Sequence, residues 1–155
     1  MTKLTKGMEA PDFELVDGEG KTWRLKDLRG QKVIIYFYPA DNTPGCTAQA
    51  CDFRDSIEDF EISGYQVLGI SPQGAKSHQR FTEKYELNFP LLVDKDFEAA
   101  RSYGVTSETG AQFKGIPIRI KRSTFVIDEE GKLIEALYGV RARGHVEKLR
   151  TMLAS

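Results

Sequence analysis

The stretch from Val33 to Tyr38 is the part of the sequence that most restricts the fold. All six side chains are aliphatic or aromatic, so both faces of a strand built from them are apolar. Such a strand has to be covered on both sides, which is typical of a central strand with helices above and below its sheet. The sequence therefore predicts an α/β chain with a sheet between two outer layers.

The remaining patterns are consistent with this arrangement. Strands are predicted at 65–71 and 90–93, two hairpins at 13–25 and 123–138, and helices at 44 to about 63, 77–85, about 97–103 and around Val146, Leu149 and Leu153. The first hairpin is expected at the periphery. A single domain over residues 1–155, a three-layer sandwich with a mixed central sheet and an N-terminal hairpin extension, is the predicted architecture.

Charge and hydropathy limit the partners of the chain. The formal net charge is −1, which gives no general attraction to nucleic acid or to an anionic membrane. No apolar run approaches the ~18 residues of a membrane span, and residues 1–11 lack the apolar core of a signal peptide. We expect a cytoplasmic protein that binds neither nucleic acid nor membrane.

A cysteine lies where the first central strand gives way to a helix. Thr43 suits the N-cap and Pro44 the first helical position, which would place Cys46 in the first turn. Unpaired backbone N–H groups and the positive end of the helix dipole then face its sulfur and favour the thiolate. The carboxyl ends of central strands are also where open α/β sheets bind ligands. Cys46 is therefore the first candidate for a reactive residue.

A helix terminus alone is a weak activator of a thiol. It contributes ~0.3–1 kcal/mol, and about 2 kcal/mol at best, so we expect a cation near Cys46 as well. The candidates are Arg119, Lys121 and Arg122, which immediately precede the strand that begins at Ser123. An arginine could hold both the thiolate and an oxygen-bearing substrate.

The other cysteine, Cys51, follows Cys46 by five residues. Two cysteines in 155 residues do not make a disulfide framework, so the pair is redox-active, metal-binding or incidental. Five helical residues correspond to about 7.5 Å of rise and roughly 140° of rotation, so the sulfurs face apart. A disulfide between them would require local unwinding. Cys51 is expected on the polar side of the helix, where unwinding costs the least buried surface.

Several segments together resemble one protein family. The pattern P-x-x-x-T-x-x-C, formed by Pro39, Thr43 and Cys46, with Cys51 five residues later, resembles the peroxiredoxins of the Q type, also called bacterioferritin comigratory proteins. Further similar segments are 10–13, 41–47, 77–78, 89–92 and 122–128. They extend over nearly the whole chain.

The resemblance implies a thioredoxin-like fold and a role for each motif residue. Cys46 would be the peroxidatic cysteine, Cys51 the resolving cysteine and Arg122 the site arginine, while Thr43 would hydrogen-bond the peroxide and Pro39 would shape and shield the pocket. The implied enzyme is an atypical two-cysteine peroxiredoxin. It would reduce hydrogen peroxide and organic hydroperoxides without metal or other cofactor, with thioredoxin as reductant, and it would be a monomer.

Two positions depart from the family pattern. Gln49 stands where the family commonly has Glu, and residues 71–74 lack an acidic residue often found there. Neither departure replaces one of the five motif residues. Both bear on how strongly the thiolate is favoured and how readily the helix opens.

Other functions compete with a peroxidase. A thiol–disulfide oxidoreductase of the same fold would be expected to carry C-x-x-C, whereas this chain has C-x₄-C. A holdase or binding module with inert thiols would leave Cys51 an incidental surface thiol. In that case Thr43 is only a cap, Pro39 only ends a strand and Arg122 is a solvated charge.

The remaining conspicuous side chains favour structural roles. His78 and His145 form no tight zinc-binding pair with the cysteines, and we expect both on solvated helix faces. Trp23, Phe37 and Phe125 are expected to pack rather than to line a substrate site.

Overall fold

The computed structural model describes residues 3–107 and 119–153. Its strands are β1 Glu14–Asp17, β2 Thr22–Arg24, β3 Lys32–Phe37, β4 Tyr65–Ser71, β5 Leu91–Val93, β6 Thr106–Ser107, β7 Arg119–Ile120, β8 Ser123–Ile127 and β9 Leu133–Leu137. Its α-helices are α1 Pro44–Ile62, α2 Ala75–Tyr85, α3 Glu98–Ser102 and α4 His145–Leu153. A 3₁₀ helix, Leu25–Leu28, follows β2.

Seven strands form one mixed sheet in the order β2-β1-β5-β4-β3-β8-β9. Strand β3 lies inside the sheet, parallel to β4 and antiparallel to β8. The N-terminal hairpin joins the far edge, where β1 pairs antiparallel with β5. The predicted central position of β3 and the peripheral hairpin are therefore confirmed.

The side chains of β3 alternate between two apolar layers, as the sequence predicts. Val33, Ile35 and Phe37 pack in one buried cluster, which includes Tyr103 at the end of α3. The opposite face of β3 packs in a second cluster with the buried sides of α1, α2 and α4. The three-layer sandwich is confirmed, and helix α1 lies on the second face.

Helix α1 begins and ends where the sequence indicates. Thr43 occupies the N-cap position with extended backbone (φ −90°, ψ 156°), and Pro44 is the first helical residue. Gly64, just past the C-cap Ser63, has a φ of +88°, which favours glycine. The predicted apolar stripe is buried throughout: Cys46, Ala50, Phe53, Ile57 and Phe60.

The structure differs from the predictions mainly in short elements. The second strand of the first hairpin ends at Arg24 because Leu25 begins the 3₁₀ helix. A two-residue ladder joins β6 to β7, and no such ladder was predicted. Phe37 and Phe125 are buried, and Trp23 packs against their cluster, so the three aromatic residues pack as expected. In the described part of the chain, no helix combines the length and the apolar character needed to cross a membrane.

Candidate active site

Cys46 lies in the first turn of α1 with only 1% of its surface exposed. The loop before it carries Pro39 and Thr43, both exposed. The Thr43 hydroxyl donates to the carbonyl of Ala40 at 3.3 Å, and no hydrogen bond from its side chain caps the helix. The N-cap position is thus as predicted, while the hydroxyl faces the loop.

Arg122 is the cation that the fold brings to this sulfur. Its Nη2 lies 3.4 Å from Cys46 Sγ, and its Nη1 donates to Gln49 Oε1 at 2.6 Å. The guanidinium is half-buried at the entry to β8. Lys121 is exposed, and the side chain of Arg119 lies outside the described residues. Of the three predicted candidates, Arg122 is the one seen at the thiol.

The guanidinium is the main source of positive field at Cys46. Two unit charges 4 Å apart interact by about 4 kcal/mol near a protein surface, before screening by solvent reduces this value. The helix terminus contributes ~0.3–1 kcal/mol in the same direction. The arrangement therefore places the sulfur of Cys46 in a positive field that comes chiefly from Arg122.

Gln49 is a site residue whose role the sequence did not reveal. It is fully buried one turn after Cys46, and it fixes one arm of the Arg122 guanidinium. Among the described residues, its Nε2 has no hydrogen-bond partner. Its position three residues after Cys46, on the same helix face, was the available signal.

Gly45 leaves room for this contact. A Cβ built at Gly45 would stand 3.4 Å from Arg122 Nη2 and 3.3 Å from the Cβ of Ala142. Any larger side chain would press on both neighbours. The loop that carries Ala142 is tied to the site as well, because the Val140 amide donates to the carbonyl of Arg122 at 2.9 Å.

Tyr36 lies beneath the helix start. It is 1% exposed and stacks on Phe53 at 4.5 Å between ring centroids. Burial raises the pKa of its phenol well above the ordinary value, and the charges of Cys46 and Asp41 add to this effect. Tyr36 therefore stays neutral, and no partner for its hydroxyl is found within residues 3–107 and 119–153.

Both histidines are buried, and the prediction that they lie on solvated helix faces is wrong. His78 is 1% exposed and contacts Asp41, while His145 is 8% exposed and contacts Thr124 Oγ1 through Nε2 at 2.9 Å. Burial, with the charges of Lys148 and Arg122, lowers the pKa of His145 to about 4. The prediction failed because each histidine is covered by a residue distant in sequence.

Cys51 lies further along the same continuous helix and is half-buried. Both cysteines are free thiols. Within the described ranges, no group of three or more His, Cys, Asp and Glu side chains is arranged to hold a metal ion. The geometry thus presents one buried thiol at an arginine and a second, more accessible thiol on the same helix.

Comparisons with known proteins give this site a family context. The model of the AhpC/TSA family matches residues 7–136. Peroxiredoxin Bcp of Bacillus subtilis is 43% identical over 150 residues, which cover 94% of this chain and 93% of the relative.

Solved structures match over similar lengths. A cysteine-to-serine mutant of PrxQ from Xylella fastidiosa is 30% identical with a TM-score of 0.90, covering 99% of this chain and 98% of that chain. A structure of the Xanthomonas campestris bacterioferritin comigratory protein, from work on its alkyl peroxide reduction, is 32% identical with a TM-score of 0.85 and covers 92% and 90%.

Proposed function

Because this chain belongs to the AhpC/TSA family and is a thiol-dependent peroxidase, an atypical two-cysteine peroxiredoxin of the Bcp or Q type, we propose that Cys46 is the sulfur that attacks the peroxide. The observation that carries this assignment is the 3.4 Å contact between Arg122 Nη2 and Cys46 Sγ at the start of α1. The family implies a hydroperoxide substrate and a thiol reductant.

In the first step, the Cys46 thiolate attacks the nearer oxygen of the hydroperoxide. An S–O bond forms, the O–O bond breaks, and the departing oxygen takes a proton and leaves as water or an alcohol. Arg122 and the first-turn N–H groups stabilise negative charge that develops on the departing oxygen. Cys46 becomes a sulfenic acid and is oxidised by two electrons.

Thr43 and Pro39 are assigned to binding the peroxide. The Thr43 hydroxyl lies at the cap of the same helix and could exchange its 3.3 Å bond to Ala40 for one to the substrate. Pro39 lies in the loop that leads into this turn and would limit access of water. Both roles follow the family motif and the placement of the loop before Cys46.

In the second step, Cys51 condenses with the sulfenic acid. The sulfur of Cys51 attacks the sulfur of Cys46, so that an S–S bond forms and the S–O bond breaks. The departing hydroxide takes the thiol proton of Cys51 and leaves as water, and the product is an intramolecular disulfide. Since both residues lie on one continuous helix with their side chains about 140° apart, the helix has to unwind locally first. The disulfide protects Cys46 from oxidation to the sulfinic acid.

An external dithiol then returns both cysteines to thiols, and we assign this role to thioredoxin. We further propose that the chain works as a monomer, as one domain, and in the cytoplasm. Hydrogen peroxide and organic hydroperoxides are both proposed substrates, since the similar Xanthomonas campestris protein was studied for alkyl peroxide reduction.

The test combines peroxide consumption in a thioredoxin system with intact-mass analysis. Cys46→Ser should consume no peroxide. Cys51→Ser should react once and then stall as a sulfenic acid, whereas the unaltered chain should lose two hydrogens in mass after one equivalent of peroxide. Undiminished turnover by Cys46→Ser would refute the assignment, and an unchanged mass would support inert thiols instead.

A further inference from the structure

A second polar cluster lies next to the thiol site and has no role in the mechanism above. His78 of α2 is 1% exposed, with Nδ1 2.6 Å from Asp41 Oδ2 and Nε2 2.9 Å from the carbonyl oxygen of Leu92. Asp41 also accepts bonds from the Tyr38 hydroxyl at 2.6 Å and the Ser77 hydroxyl at 2.7 Å. Every polar atom of both side chains thus has a partner.

The partners determine where the protons lie. The Leu92 carbonyl can only accept, so Nε2 of His78 carries a proton. Burial raises the pKa of Asp41, but the hydrogen bond and charge of His78, with the bonds from Tyr38 and Ser77, outweigh it and hold the pKa below its usual value. Asp41 is therefore a carboxylate and Nδ1 of His78 donates to it. The two residues form a buried ion pair.

This ion pair holds the segment that leads into α1. Asp41 lies two residues before the cap Thr43, and its own N–H donates to Gln73 Oε1 at 2.9 Å. The next residue, Asn42, has a left-handed backbone with φ of 62°. Its Oδ1 accepts from the Tyr85 hydroxyl at 3.2 Å and from Lys84 at 3.4 Å, both from α2.

We propose that Asp41 and His78 are positioning residues for peroxide reduction, holding Thr43 and the first turn of α1 in the geometry that accepts the hydroperoxide. This inference rests on the proposed function of Cys46. The pair touches neither the sulfur nor Arg122, so it acts through the backbone of the loop. A displacement of about 1 Å at a reacting centre is enough to cost on the order of a hundredfold in rate.

The two obvious variants change the local charge in opposite directions. Asp41→Asn removes a negative charge and His78→Ala removes a positive one. If the pair acted only through its field on the sulfur, the two variants would change the reactivity of Cys46 in opposite directions. If the pair positions the loop, both variants slow the reaction with peroxide.

Two rates separate positioning from a general loss of structure. The first is the single-turnover rate of Cys46 oxidation by hydrogen peroxide, and the second is its alkylation by iodoacetamide at the same pH, which needs no peroxide-binding geometry. To isolate Cys46, both are measured in the Cys51→Ser background. We expect both variants to lose ten- to a hundredfold in the peroxide rate while the alkylation rate stays within about twofold.

Asp94→Asn is the matched control. Asp94 is a buried carboxylate, 2% exposed, that accepts from the amides of Ala99 and Ala100 at the start of α3. Its substitution makes the same chemical change away from the loop and should leave both rates within about twofold. Ser77→Ala removes a single bond to Asp41, and it provides a milder variant with an expected two- to fivefold loss should His78→Ala fail to fold.

Unchanged peroxide rates in folded Asp41→Asn and Ser77→Ala would overturn the inference. Equal losses in Asp94→Asn, or losses that appear equally in alkylation, would do so as well. The proposed function fails in a different way, because peroxide consumption would then survive Cys46→Ser.

Discussion

Two buried histidines near the start of α1 have opposite surroundings. His78, on α2, meets the carboxylate of Asp41 at 2.6 Å and completes an ion pair. His145, on α4, has the Thr124 hydroxyl as its hydrogen-bond partner in the described part of the chain, and the nearby charges of Lys148 and Arg122 are both positive. The same residue type is therefore paired with a carboxylate on one side and held neutral beside a hydroxyl on the other.

The difference shows that charged groups have two separate roles around the start of α1. Beside α2, opposite charges cancel within the Asp41–His78 pair and fix a loop. Beside β8 and α4, Arg122 bonds to Gln49 and to the sulfur of Cys46, and within residues 3–107 and 119–153 no carboxylate cancels its positive charge at these bonds. The positive charge of Arg122 acts on the nucleophilic sulfur, whereas the Asp41–His78 pair fixes the geometry of the loop before it.

The largest effect should come from removing the positive charge at the sulfur. Arg122→Ala should slow the reaction of Cys46 with hydrogen peroxide by about 10² to 10³, which is the usual cost of losing one oxyanion-stabilising donor. Stopped-flow measurement of the second-order rate constant checks this. Arg122→Lys should recover part of the loss, since lysine restores the positive charge but not the two-armed donor geometry of the guanidinium.

The neighbouring Lys121→Ala serves as control, because Lys121 is exposed and precedes the strand in the same way. A comparable loss in Lys121→Ala, or full activity in Arg122→Ala, would contradict the role of Arg122 as the positive charge that acts on Cys46.

Lowering the pH should destabilise the folded protein because His145 is held neutral in it. Its pKa is lowered to about 4 from 6.5, so between these pH values the unfolded chain binds a proton that the folded chain does not. The stabilising contribution of neutral His145 is therefore complete above pH 6.5 and decreases as the pH falls toward 4. From pH 7 to pH 5 this amounts to about 2 kcal/mol.

Urea unfolding of the unaltered chain and of His145→Gln at both pH values measures this contribution. The unaltered chain should lose about 2 kcal/mol more than the variant on acidification. Equal losses in the two proteins would mean that His145 is not held neutral.

The smallest effect should come from crowding the positive side. Gly45→Ala places a methyl group 3.3 Å from the Cβ of Ala142, which has to give by a few tenths of an ångström, and 3.4 Å from Arg122 Nη2, at the limit of ordinary contact. We expect about a tenfold loss in the peroxide rate, even though alanine favours the helix by about 1 kcal/mol.

The same kinetic assay on Gly45→Ala with Ala142→Gly provides the control, since the second change removes one of the two contacts. Partial recovery is expected. A Gly45→Ala enzyme with full activity would show that the contact between Arg122 and Cys46 tolerates more displacement than the structure indicates.

Local sequence patterns predicted the central strand of the sheet and the limits of α1. The two-sided apolar strand at Val33 to Tyr38 located the centre of the sheet, and Thr43, Pro44 and Gly64 predicted the limits of α1. These signals need only neighbouring residues. Arg122 was predicted as a candidate because it directly precedes a recognisable strand, although its distance to Cys46 depends on the sheet order.

The errors arose where the partner is distant in sequence. His78 is covered by Asp41, 37 residues away, and His145 by Thr124, 21 residues away. A polar residue on an amphipathic helix is assigned to solvent unless its partner is known. Gln49 was noticed only as a departure from the family, since its contact with Arg122 spans 73 residues. The two-residue ladder of β6 and β7 is too short to show any period.

The continuity of α1 through both cysteines has a consequence for the redox potential. If the disulfide forms only after the helix opens, the free energy of the helical turns between Cys46 and Cys51 stabilises the reduced enzyme and makes the disulfide more oxidising. Ala48→Gly, which weakens the helix by about 1 kcal/mol, should lower the midpoint potential by about 20 mV in a glutathione titration. Helix propensity in this short stretch would then determine how readily the reductant regenerates the enzyme.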